Sequence, residues 1–138
     1  MLKKYDQCLK NLSYWKSFIS MDITEELKKT LRKNVIETLQ LLSEPALQKK
    51  YESDVPIAYV PAELFCLWYD DSYLPESDAF IEAFSEYELK VLANFTEVFD
   101  VVYEETDENP PDLEVLHSLP SFQIMMTAAR KALRELEQ

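Results

Sequence analysis

The sequence predicts an all-α protein, a single-domain bundle of about six helices spanning residues 1–138. Three observations predict it: apolar residues recur at steps of three and four, capping residues and prolines fall where those runs end, and glycine is absent from all 138 positions. Primed hairpin turns draw on glycine for positive φ, so its absence weighs against a β-rich fold. Helices lose little beyond their favoured C-caps. With 47% hydrophobic residues, a chain of this length buries a core without disulfides or a structural metal.

In the opening segment, Leu2, Tyr5, Leu9, Leu12, Trp15 and Ile19 keep the helical period, which stops before Asp22. Asp22 and Glu25 have the spacing of a capping box, followed by the stripe Leu27, Leu31, Val35, Leu39 and Leu42. Ser43 caps a short successor with Pro45 in its first turn. Pro56 and Pro61 bias their predecessors away from the α region, so "SDVPIAYVP" reads as extended or irregular chain. Pro61 then opens a helix through Glu63, Leu64, Phe65, Leu67 and Trp68, apolar almost all round and therefore expected at the centre of the core. "DDSYLPES" reads as a loop. Ser77 or Asp78 caps a short helix with Phe80, Ile81 and Phe84, and Ser85 with Glu88 forms a capping box for the longest helix, Glu86 to about Glu105. "TDENPPD" is a loop, and Pro120 opens the last helix, which carries Phe122, Met125, Met126, Ala129, Leu133 and Leu136.

Without glycine there is no phosphate-cradling loop, dinucleotide fingerprint or nucleophile elbow. An EF-hand frame fails from Asp70 and from Asp71, because Leu74, Pro75 or Tyr73 falls where an oxygen ligand or glycine is required. Glu114 and His117 have the spacing of one half of a di-iron site, but His117 is the sole histidine. His117 is expected at a helix end or in a loop. Cys8 and Cys66 sit among apolar residues and read as small buried side chains in a reducing compartment. Asp6 and Gln7 interrupt what a secretory signal would need, and Pro56, Pro61 and Glu63 interrupt the longest apolar stretch. The expectation is a cytoplasmic protein with no membrane segment, no metal, no cofactor and no catalytic task.

Charge is segregated along the chain. Residues 1–51 carry +4 and residues 116–138 carry +1, whereas Glu52 to Glu114 hold eighteen acids against Lys90 alone, for −17. At about 100° per residue from Glu86, Glu97, Asp100 and Glu104 fall within roughly 40° of zero, and Leu92, Phe95, Phe99 and Val102 fall on the opposite side. Like charges in a row on a helix cost a few tenths of a kcal/mol per pair, so such a row calls for something that compensates it. A focused negative field accelerates encounter with a basic protein and repels nucleic acid, whose phosphates need cations. The candidate partner-binding residues are therefore Asp70, Asp71, Glu97, Asp100, Glu104 and Glu105, with Tyr69 and Tyr73 as aromatic anchors and Trp68 assigned to the core. A second expectation is an adaptor or homodimer that associates through exposed aromatics.

The block Leu64 to Glu105 carries Trp68-x-Asp70-Asp71-x-Tyr73-x-Pro75, followed by Ser85-x-x-Glu88-Leu89 and spaced phenylalanines. In this it resembles small acidic bacterial immunity proteins carried beside polymorphic or contact-dependent toxins. The resemblance implies a non-enzymatic protein that binds and occludes a basic, nuclease-type toxin domain. It does not itself assign the contact residues, because Ser85, Glu88 and Leu89 are already explained as a helix start.

Overall fold

The computed structural model describes residues 24–106 and 109–136. It is an all-α, single-domain fold with seven helices and no strand among the described residues. The helices are α1 (Glu25–Ser43), α2 (Pro45–Asp54), α3 (Val60–Cys66), α4 (Asp78–Ala83), α5 (Glu86–Glu105), α6 (Leu113–Ser118) and α7 (Pro120–Leu136). A π-helical turn, Leu67–Ser72, continues α3 without a break. The stripe Leu2 to Ile19, Cys8 and the proposed cap Asp22 lie outside the described residues.

Local chemistry accounts for most boundaries. The α1 cap is Thr24, whose hydroxyl accepts from Leu27 N at 3.0 Å, and Leu27, Leu31, Val35, Leu39 and Leu42 are all buried. Ser43, expected to cap α2, is instead the last residue of α1 and donates back to Gln40 O, while Glu44 takes the cap position with no side-chain bond. Pro45 lies in the first turn of α2, where a missing N–H costs nothing. Ser77 caps α4 by accepting from Phe80 N; Phe80 and Phe84 are buried, but Ile81 is exposed. The box on α5 is complete: Ser85 Oγ accepts from Glu88 N at 3.1 Å, and Glu88 Oε1 accepts from Ser85 N at 2.9 Å. Asp112 caps the short α6, a segment for which the sequence predicts no element, and His117, expected at a helix end or in a loop, sits in its last turn.

Helix α7 is the central packing element, with α1 and α5 both laid against it. Phe122, Met125, Ala129 and Ala132 are buried along its length, and the two alanines leave room for close backbone approach. Between α3 with its π-turn and α5, large rings fill the space instead. Phe65 meets Phe99 and Tyr103 edge-on, and Trp68 meets Phe95 edge-on at 4.9 Å. Trp68 is fully buried, and its Nε1 donates to Thr96 Oγ1 at 3.1 Å. Helix α3 is less central than its composition implies. It buries Val60, Pro61, Leu64 and Phe65, yet leaves Ala62, Glu63 and Cys66 only partly covered, because one side faces outward. Cys66 is thus not the fully buried residue expected.

Candidate functional site

"DDSYLPES" does not form a loop throughout. Its first three residues complete the π-turn, in which Tyr73 N donates to Trp68 O, five residues back, at 2.8 Å. Two tertiary devices hold this wide turn. Ser72, almost fully buried, places its hydroxyl 2.6 Å from Thr38 Oγ1 on α1 and donates to Leu67 O at 3.0 Å. The Tyr73 ring stacks on Trp68 with centroids 5.4 Å apart and planes 7° from parallel. Leu67–Ser72 is therefore a helical continuation of α3, fixed by contacts to α1 and to Trp68.

The turn distributes its side chains to different flanks. Tyr69 faces α5: its ring meets Phe99 and Tyr103 edge-on, and its phenol donates to Asp100 Oδ1. Asp71, two residues on, is instead coupled electrostatically to Glu63 on α3 and acts on the Tyr51 phenol of α2. Asp70 lies between them, half-buried. Tyr69 and Tyr73 both pack against the core and are only partly exposed. Glu97, Glu104 and Glu105 are exposed along α5, and Asp100 is half-buried among them. Glu105 also accepts from Ser121 Oγ at the start of α7. Val101 is exposed within this acidic row, one turn from Glu97.

Two carboxyls carry a cost. Burial, and then the neighbouring Glu63 carboxylate, push Asp71 above its ordinary pKa. Burial followed by Glu104, one turn on, does the same to Asp100, despite the phenol it accepts from. Tyr51 is raised by burial and by Glu63 and Asp71, which places three acidic groups in mutual electrostatic reach. The sequence reading missed Tyr51 and Glu63, because the π-turn, and not a periodic spacing, sets the position of Asp71.

The other polar constellations are structural. Arg32 on α1 forms a two-pronged pair with Glu88, at 2.8 and 3.0 Å, donates to Ala83 O, and lies over the Phe84 ring. Gln48, fully buried, donates to Leu41 O and meets His117 Nε2 through its Oε1 at 2.7 Å. Burial and Lys49 lower the His117 pKa, so its neutral form is favoured. Among the described residues, no group of three or more His, Cys, Asp or Glu is arranged to hold a metal ion, and no helix is long and apolar enough to cross a membrane. No protein-family model, curated protein or solved structure matches this chain.

Proposed function

We propose that this chain is a non-enzymatic binding protein of the immunity type, which neutralises a basic toxin domain, a nuclease being the fitting class, by covering its substrate-binding surface. The observation that carries this reading is the charge segregation: eighteen acids against one base between Glu52 and Glu114. Several of these acids stand on the surface of a single helix. A nuclease must be cationic to hold phosphate, so an acidic inhibitor matches the same surface. Burial and a neighbouring carboxylate disfavour the charged forms of Asp71 and Asp100, a cost that a cationic group meeting them would offset.

The test is a pull-down from the native host at low and then high salt, followed by titration of the purified basic partner. Asp70→Asn, Asp71→Asn, Asp100→Asn and Glu104→Gln together are expected to weaken binding and flatten its salt dependence. Unchanged affinity and salt dependence would refute the reading. The exposed Tyr87 and Ile124 support a second reading, an adaptor or homodimer that associates through apolar surface. Sedimentation velocity across a concentration series separates that self-association from a monomer.

A further inference from the structure

Helices α5 and α7 run antiparallel: Glu105 accepts from Ser121 Oγ at one end, and Tyr87 and Glu135 line one groove at the other. That groove is open and holds about 220 Å³. Its floor is apolar, formed by Val91, Phe95, Val98, Ala128 and Ala132. The helical period carries it further along both banks. Val101 continues the row of Tyr87, Asn94 and Val98 on α5, and Ile124 extends the row of Ala128, Lys131 and Glu135 on α7. Tyr87, Val101 and Ile124 are each more than half exposed, so the seam between two packed helices is edged by uncovered apolar side chains.

The chain itself carries a segment that matches this seam. Leu2, Tyr5, Leu9, Leu12, Trp15 and Ile19 form an apolar helical stripe in the sequence, ahead of the described residues, and such a stripe is stabilised by packing on another apolar surface. The chain also enters the fold at the correct end. Arg32 pairs with Glu88, so α1 starts about two turns, roughly 10 Å along its axis, from the Tyr87 end of the groove. A helix from Leu2 to Ile19 rises about 26 Å, against about 21 Å from Tyr87 to Val101. Residues 20–23 remain for the connection, a usual length between packed helices. Charge agrees on balance: residues 1–20 hold four lysines against Asp6, and the acids beside the groove, Glu86, Glu97 and Glu135, outnumber Lys90 and Lys131. A second copy would instead bring a net charge of −12 against its like. We propose that the N-terminal segment Leu2–Ile19 lies as an amphipathic helix in the α5–α7 groove, with its apolar stripe on Val91, Phe95, Val98 and Ala128. This occupant takes up Tyr87 and Ile124, the surface on which self-association would depend.

The test uses the full chain, isotope-labelled for amide spectra, with Cys8→Ser, Cys66→Ser and a nitroxide attached at Lys10→Cys, a position opposite the stripe by the helical period. The amide signals of Val91, Asn94, Val98, Ala128 and Lys131 are expected to lose most of their intensity and to regain it when the nitroxide is reduced. Those of Ser72 and Tyr73, on the opposite flank of α5, are expected to keep theirs. Asn94→Arg changes an exposed position and puts a bulky cation in the groove, so it should abolish the loss while the rest of the spectrum stays that of the folded protein. Loss centred on Ile36 and Gln40 of α1, or no loss at any site, would overturn the docking, as would a pattern unchanged by Asn94→Arg. Loss that persists when nitroxide and isotope are carried on separate chains mixed together would overturn the intramolecular occupant in favour of a second copy.

Discussion

The pair Arg32–Glu88 joins α1 to the start of α5, and its contribution can be worked from its geometry. Two charge-assisted bonds at 2.8 and 3.0 Å connect side chains that are 33% and 15% exposed. Hydrogen bonds to charged groups contribute about 1.5–3 kcal/mol net, and partial exposure sets the low end here, so the coupling between the two side chains should be about 1.5 kcal/mol. Glu88→Gln keeps the reciprocal bond to Ser85 N, since glutamine serves at that box position, and therefore isolates the ion pair from the cap. Arg32→Met keeps the apolar stem over Phe84. A double-mutant cycle by urea unfolding, with unchanged slopes as the two-state check, reads the coupling directly. Each single variant should cost about 2 kcal/mol, a drop of several degrees in melting temperature for a domain of this size. Arg32 holds Glu88 below its ordinary pKa, so this stabilisation is present above the unfolded-state value and is lost as pH falls through the lower folded-state value. A coupling below about 0.3 kcal/mol, indistinguishable from additivity, would refute the assignment of this pair as the clamp between α1 and α5.

Other expectations follow from the same geometry. Ser72→Ala strands the buried Thr38 hydroxyl and should cost about 1–3 kcal/mol, whereas Thr38→Val with Ser72→Ala together should recover part of the loss; equal costs for the single and the double would sink the account. Asp71→Asn should stabilise the protein at neutral pH and not at acid pH. The raised folded-state pKa means that wild-type stability falls as pH rises from the unfolded-state value through the folded-state one, and thermal melts of both proteins across that window check it. His117 has the opposite sign of concern: its lowered pKa means that stability is lost as pH falls below the unfolded-state value of about 6.5, and His117→Gln should flatten that slope in the same melts.

The helices legible in the sequence are those specified locally. The box at Ser85 and Glu88 and the stripe from Leu27 to Leu42 need only neighbours three and four residues away, and both form as read. Thr24 caps α1, two residues after the cap the sequence offers at Asp22, because its hydroxyl reaches the free N–H of Leu27. Helix α6 is six residues long behind two prolines, too short to show a period. The π-turn was illegible for a different reason. Asp70, Asp71 and Ser72 are loop-forming residues by local preference, and what keeps them helical is distant: Thr38 on α1 and the stack of Tyr73 on Trp68. The acidic surplus could be counted from the sequence; its division between the flank of Glu63 and the flank of Asp100 could not, because that depends on the widened turn.

A widened turn behaves as one residue spliced into an otherwise ordinary helix. Everything before Leu67 keeps its packing against the core, while everything after Ser72 is rotated and advanced relative to an unspliced chain. Removing one residue from Tyr69–Asp71 would let the turn close as regular α-helix with Trp68 still seated, yet it would carry Tyr73 off the indole face and re-aim the remaining carboxylate. The carboxylates this turn presents are therefore set by its length, and a single-residue insertion or deletion there would re-aim them at the cost of the Tyr73–Trp68 stack. The turn is thus the place where the length of the chain, rather than the identity of its side chains, decides what the surface presents.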